Sequence, residues 1–213
     1  MGTFFNLESP FFQFMNKIGN MIIITILWII GCIPIVTIGT STAAMYYATV
    51  KVTRKETGYI TKEFFRAYKM NLKNGILLTL VWLLVAAILT LDRLYVNSLE
   101  SIQGTILIVI YNFMLIASIS VIMYLFPNMS RFTMSKKDLL KLSFFMSVKH
   151  LPTTICLVVM FAATVISIYL IPVLIIILPG VTCYLDSFFL ERILLKYMAK
   201  SDESEEEDKW YYQ

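Results

Sequence analysis

The chain has 213 residues and a formal net charge of +4, and it is 58% hydrophobic with only 15% charged residues. Soluble domains average about one-quarter charged residues, so this composition, with a mean hydropathy of +0.75, excludes an ordinary soluble domain. It predicts an all-α polytopic membrane protein with a single membrane domain over residues 1–200. Residues 201–213 carry six carboxylates and one lysine, which predicts a disordered acidic tail in the cytoplasm.

The first apolar run predicts a span over about Ile18 to Ile38, and its end is an unusual stretch, PIVTIGTSTAAMYY, at residues 34–47. A proline tends to kink a helix, and nearby hydroxyl groups can satisfy the backbone groups that it frees. Small residues let a second helix approach closely. We therefore predict a closely packed shoulder, which docks either on a partner subunit or on other helices of this chain. Its candidate docking residues are Pro34, Thr37, Gly39, Ala43, Ala44 and Tyr47.

Four cations follow at helical spacing: Lys62, Arg66, Lys69 and Lys73. Residues three or four positions apart share one face of a helix. This spacing predicts a basic amphipathic helix that lies at the inner membrane surface, with its cations on anionic lipid headgroups.

Two more spans are predicted over about Gly75 to Leu91 and about Thr105 to Phe126, and the latter contains a lone polar residue, Asn112. A second cytoplasmic helix follows, because Ser135 and Asp138 form a capping-box-like start. Its predicted apolar stripe is Leu140, Phe144, Val148 and Leu151, with Lys137 and Lys141 beside it.

The C-terminal apolar region is too long for one crossing. Residues 150–185 contain no charge, and as one helix they would measure about 54 Å, whereas a hydrocarbon core is about 30 Å thick. A turn at Pro172 predicts a fourth span over about 152–171 and a fifth over about 172–196, kinked at Pro179-Gly180. The alternative has four spans and a turn at Pro179-Gly180.

Basic residues set the predicted orientation. They concentrate in residues 51–73 and 131–149 and are scarce before the first span and between the second and third. By the positive-inside rule, five spans place the N-terminus outside and the C-terminus in the cytoplasm. Asp186, within the predicted fifth helix, joins Asn112 as a candidate intramembrane polar residue, because ionisable groups inside a membrane are costly and often functional.

The sequence carries no motif of a familiar catalytic site. It lacks the G-x4-G-K phosphate loop, H-E-x-x-H and G-x-S-x-G. Its three cysteines are spread along the chain beside a single histidine, which favours buried thiols over a metal site. We therefore expect no enzyme, no cofactor, no metal and no nucleic-acid partner.

A set of residues in the first half resembles the YesL family of bacterial membrane proteins, and the W-x5-P-x2-T-x-G signature is the most specific part. The set is Trp28, Cys32, Pro34, Thr37, Gly39, Ala43, Ala44, Tyr46, Tyr47, Phe64, Phe65, Lys69 and Asn71. The resemblance covers roughly residues 5–198. Family members occur in Gram-positive bacteria, in gene neighbourhoods with carbohydrate ABC importers and glycan-degrading enzymes.

This resemblance implies a non-catalytic accessory or assembly subunit of a carbohydrate ABC importer. The implied partners are the permease subunits, the associated ATPase and the solute-binding protein. Two alternatives remain open: an autonomous small-molecule transporter or channel, and a membrane signalling scaffold that uses the acidic tail.

Overall fold

The computed structural model describes residues 10–97 and 102–198, and every element in these ranges is helical. The α-helices are α1 (Pro10–Cys32), α2 (Ile38–Ala48), α3 (Ile60–Asn97), α4 (Ile102–Arg131), α5 (Lys136–Lys149), α6 (Leu151–Leu170) and α7 (Leu178–Tyr197). Four of them, α1, α3, α4 and α6, are long and apolar enough to cross a membrane. The prediction of an all-α polytopic membrane protein is therefore confirmed. The predicted acidic tail lies outside the described residues.

The first predicted span is broken at Pro34, and the chain reverses there. After α1, a short 3-10 helix (Ile35–Thr37) leads into α2, and a π-helix (Thr49–Arg54) extends α2. Ser41 Oγ donates to the backbone oxygen of Trp28 at 3.0 Å, and the Trp28 indole N–H donates to Thr42 Oγ1 at 3.1 Å. These contacts pair α2 with the second half of α1 as an antiparallel hairpin.

The open end of this hairpin is closed by an ion pair. Lys17 Nζ lies 3.0 Å from Glu56 Oε1, although the predicted topology put a complete membrane crossing between these residues. A single straight crossing cannot separate two groups that are in contact. The return through α2 and the π-helix explains the difference, because it brings residue 56 back to the level of Lys17.

The predicted basic helix and the predicted second span form one uninterrupted helix of 38 residues, α3. Its first half packs on the α1–α2 hairpin, where Phe64 joins a core cluster with Ile24 and Ala44. At about 1.5 Å per residue α3 is about 57 Å long, well beyond a hydrocarbon core of about 30 Å. The basic half is thus coaxial with the apolar half, and its position at the inner membrane surface stays a prediction.

The second half of the chain begins with α4, which continues through Pro127 and ends at Arg131. The predicted cap of α5 is confirmed, since the backbone N–H of Asp138 donates to Ser135 Oγ at 3.3 Å. Helix α5 buries Leu139 and Ser143 against its neighbours. The predicted apolar stripe is not the buried side of α5. Leu140 is half-buried, and Phe144, Val148 and Leu151 are exposed.

The turn predicted at Pro172 is present, as a 3-10 helix over Pro172–Ile176 between α6 and α7. Helix α7 then returns along α6, because Thr164 Oγ1 lies 2.7 Å from Thr182 Oγ1 and His150 Nε2 lies 3.2 Å from the Tyr197 hydroxyl. Pro179 does not kink a longer helix as predicted. It occupies the first turn of α7, where a proline sacrifices no helical hydrogen bond.

Candidate functional site

The most distinctive polar arrangement is a buried ion pair that joins helices distant in sequence. Arg131 Nη2, at the end of α4, lies 2.8 Å from Glu191 Oε1 on α7, and its Nε donates to the same oxygen at 3.2 Å. Their side chains are only 1% and 5% exposed. The Tyr46 hydroxyl of α2 donates to this oxygen at 2.8 Å. We call Tyr46, Arg131 and Glu191 the ionic triad.

The members of the ionic triad contact one another directly. Burial, and next the negative charge of Glu191, raise the pKa of Tyr46 well above its ordinary value, so the phenol keeps its proton and acts as a donor. A buried carboxylate is tolerated when a cation and hydrogen-bond donors compensate it. The triad therefore clamps α2, α4 and α7 together.

A second group of charges surrounds the π-helix. Lys51 Nζ lies 3.1 Å from Glu63 Oε2 of α3, and both side chains are nearly buried. Arg54 Nη1 donates to the backbone oxygen of Ser187 at 2.6 Å, and its guanidinium stacks over the Phe188 ring at 4.6 Å. Short π-helical segments often occur at functional sites. Here the π-helix directs two cations to opposite neighbours, α3 and α7.

The predicted docking shoulder is mostly inside this chain. Gly39 is buried, its backbone N–H donates to Thr79 Oγ1 at 3.1 Å, and a Cβ added to it would overlap the Phe126 ring. Ala43 and Ala44 are fully buried. The small residues thus permit the close approach of α2, α3 and α4, which is the intrachain alternative stated above.

The remaining shoulder residues, Pro34, Thr37 and Tyr47, differ in their exposure. Thr37 is buried and donates to the backbone oxygens of Gly31 and Pro34, at 2.7 Å each, which stabilises the break after α1. Tyr47 is half-buried. Only Pro34 is exposed, between the exposed Ile33 and Ile35, and docking of a partner at the shoulder stays a prediction.

The two candidate intramembrane polar residues lie apart. Asn112 is half-buried in the middle of α4. Asp186 faces inward on α7, and its Oδ1 atom is buried without a hydrogen-bond partner among the described residues. The structure brings neither of them to the ionic triad.

The predicted basic row is solvent-facing along its whole length: Lys62, Arg66, Lys69 and Lys73 are all exposed on α3. The three cysteines are half-buried and unbridged. Within residues 10–97 and 102–198, no three His, Cys, Asp or Glu side chains gather as metal ligands would.

The ionic triad was not predicted from the sequence. Its members are separated by 60 and 145 positions, so no local spacing links them. The one usable signal was a carboxylate within a mostly apolar helix, which needs a partner. Which partner it finds depends on how α4 and α7 pack.

Comparison with known proteins finds a match only in the first half of the chain. No curated protein and no solved structure matches the chain. A family model described as "Protein of unknown function, DUF624" matches residues 21–93. The match runs from the middle of α1 through the α1–α2 hairpin and most of α3.

Proposed function

We propose that this chain is a non-catalytic accessory or assembly subunit of a bacterial carbohydrate ABC importer and packs its helices against the permease subunits. The ATPase and the solute-binding protein are the further partners in that assembly. The resemblance to the YesL family supports this proposal, and the DUF624 match over residues 21–93 is consistent with it.

The observation that carries the proposal is how little of each apolar helix this chain buries by itself. Within the most apolar stretch of each helix, the share of buried residues is 6% in α4, 17% in α1, 17% in α6 and 22% in α3. A self-contained transporter would enclose a polar path with such helices. Helices that face outward on most sides are instead available to lipid and to other subunits.

Part of this outward surface is a shallow apolar groove that contains small residues. An open apolar groove of about 420 Å³ on α3 is lined by Leu83, Ala86, Ala87, Thr90 and Leu91. Small residues in an apolar helix allow a neighbouring backbone to approach closely. We assign this groove to a transmembrane helix of the permease.

The pairing of buried charges also favours an accessory role. The ionic triad and the Lys51–Glu63 pair join opposite charges within the chain, so they act as joints between helices. The second candidate function, an autonomous transporter or channel, is favoured by one observation only, the unpartnered Asp186 Oδ1.

For orientation, we propose that the basic segments and the end of α7 face the cytoplasm, in line with the positive-inside rule. Because Lys17 contacts Glu56, we propose that the start of α1 also faces the cytoplasm. The sequence predicted an N-terminus on the outside. The exposed cations nearest the apolar half of α3, Lys69 and Lys73, are placed to meet anionic lipid headgroups.

The test is purification of the tagged chain in mild detergent from its native host, with mass spectrometry of the proteins that accompany it. We expect a permease pair to be recovered. The variant Ala87→Trp fills the groove and should lose the permease while still accumulating in the membrane.

Val85→Trp is the matched control, because Val85 is exposed on the opposite face of the same helix and does not line the groove. It should retain the permease. If no importer subunit accompanies the unaltered chain, and the purified chain alone moves a solute across vesicles, the accessory role is wrong and the transporter is favoured.

A further inference from the structure

Helix α5 presents a basic and aromatic surface to its surroundings. Lys137, Lys141 and Lys149 are exposed along it. Between them, Phe144 and Val148 are 61% and 54% exposed. We call these five residues the α5 face. Exposed apolar groups rimmed by charges mark binding surfaces more often than chance would give.

The described chain ends beside this face. Lys149 Nζ lies 5.5 Å from the centre of the Tyr197 ring, and Phe145 meets the same ring edge-on with 6.4 Å between centroids. His150 holds the Tyr197 hydroxyl at 3.2 Å. The chain therefore leaves α7 at the C-terminal end of α5, and the last described residue, Met198, is the next one along.

The segment that follows is opposite in charge to the α5 face. Residues 201–213 read SDESEEEDKWYYQ, with six carboxylates, one lysine and three aromatic residues. We infer that this acidic C-terminal segment docks on the α5 face of its own chain, with its carboxylates on Lys137 and Lys141 and its aromatic residues on the exposed apolar groups.

The distances permit this contact. From Lys149 back to Lys137 the helix rises about 18 Å, at about 1.5 Å per residue. Nine residues of extended chain after Met198 reach as far as about 30 Å, so the run Glu205–Glu207 can lie over the far end of the α5 face. A tethered segment acts at an effective concentration in the millimolar range, which makes weak individual charge contacts sufficient.

The competing occupant of a basic and apolar face is an anionic membrane surface. The acidic segment and an anionic membrane are both complementary in charge to the α5 face. The acidic segment is favoured because the chain leaves α7 at Tyr197, which contacts Lys149 and His150. Each lysine near an anionic bilayer contributes about 1 kcal/mol. A docked tail would remove that attraction, so the segment controls whether α5 associates with lipid.

The test uses the full chain in nanodiscs of neutral phosphatidylcholine, with a photo-crosslinking phenylalanine analogue at position 144. We expect an intramolecular crosslink to residues 199–213, identified by mass spectrometry at monomer mass. The double variant Lys137→Glu/Lys141→Glu should lower its yield about tenfold. The triple change Glu205→Lys/Glu206→Lys/Glu207→Lys, added to that variant, should restore it.

The matched control places the same analogue at position 65 on α3, where Phe65 is also exposed beside a basic row. It should not reach the tail. In about 1 M NaCl, where the screening length falls to about 3 Å, the crosslink from position 144 should weaken. The inference is overturned by crosslinks to lipid alone, by crosslinks to the tail of a second copy, by equal yields from positions 65 and 144, or by loss of the tail contact when anionic lipid is added.

Discussion

The ionic triad makes the sharpest prediction for stability. We expect Glu191→Gln to destabilise the chain strongly, because it leaves the Arg131 guanidinium buried without its counter-charge. At the observed N–O distance of 2.8 Å, the gross attraction is about 6 kcal/mol for an effective dielectric constant of about 20. Desolvation offsets much of this in the intact pair, but removal of one partner typically costs about 3–5 kcal/mol.

For a chain of this length, each kcal/mol shifts the Tm by about 2–4 °C, so the expected loss is about 6–20 °C. The assay heats the detergent-solubilised protein and measures the fraction that remains monodisperse by fluorescence-detected size exclusion. The double variant Arg131→Met/Glu191→Met should recover much of the loss, since it removes both buried charges together.

The control is the exposed pair between Lys17 and Glu56, whose side chains are 33% and 59% exposed. Exposed ion pairs contribute about 0–1 kcal/mol, so Glu56→Gln should lower the Tm by less than about 4 °C. Equal, small shifts for Glu191→Gln and Glu56→Gln would refute the claim that the triad holds α2, α4 and α7 together.

Three further predictions follow from the fold. Gly39→Leu should reduce accumulation of the isolated chain, because overpacking against α3 and α4 costs about 1–3 kcal/mol; normal accumulation measured by immunoblot would contradict the intrachain packing. Single cysteines at positions 17 and 56 should react with a membrane-impermeant thiol reagent from the same side, in right-side-out and inverted vesicles, since Lys17 and Glu56 touch; labelling from opposite sides would exclude the hairpin. Lys62→Glu combined with Arg66→Glu should weaken retention of the start of α3 in the cytoplasm, and protease accessibility of a tag next to it measures this.

The local features of the fold were predictable because they depend on neighbouring residues. The Ser135 cap follows from a hydroxyl placed three positions before a carboxylate, and the turn at Pro172 follows from an apolar run longer than a bilayer. The break at Pro34 was anticipated as a kink. Its full extent, a reversal into α2, depends on contacts with α3 that no local pattern encodes.

The candidate site was predictable only in part. Small size at Gly39, Ala43 and Ala44 indicated close packing, and the structure supplies the neighbours in α3 and α4. The sequence pattern divided the basic helix from the second span, whereas both belong to the single helix α3. A change from polar to apolar side chains does not interrupt the backbone hydrogen bonds of a helix.

The sequence by itself determined that this chain is a helical polytopic membrane protein and where its cations concentrate. It predicted five spans, with four as the alternative, and four of the helices in the described residues are long and apolar enough for a membrane. Composition and periodicity suffice for these properties, because the bilayer imposes one length and one polarity on any segment that crosses it. Only the tertiary structure decided that Glu191 pairs with Arg131 and Tyr46, and Lys17 with Glu56. A charge requires a partner wherever it is buried, but the choice among distant partners is made by the packing of the helices that carry them.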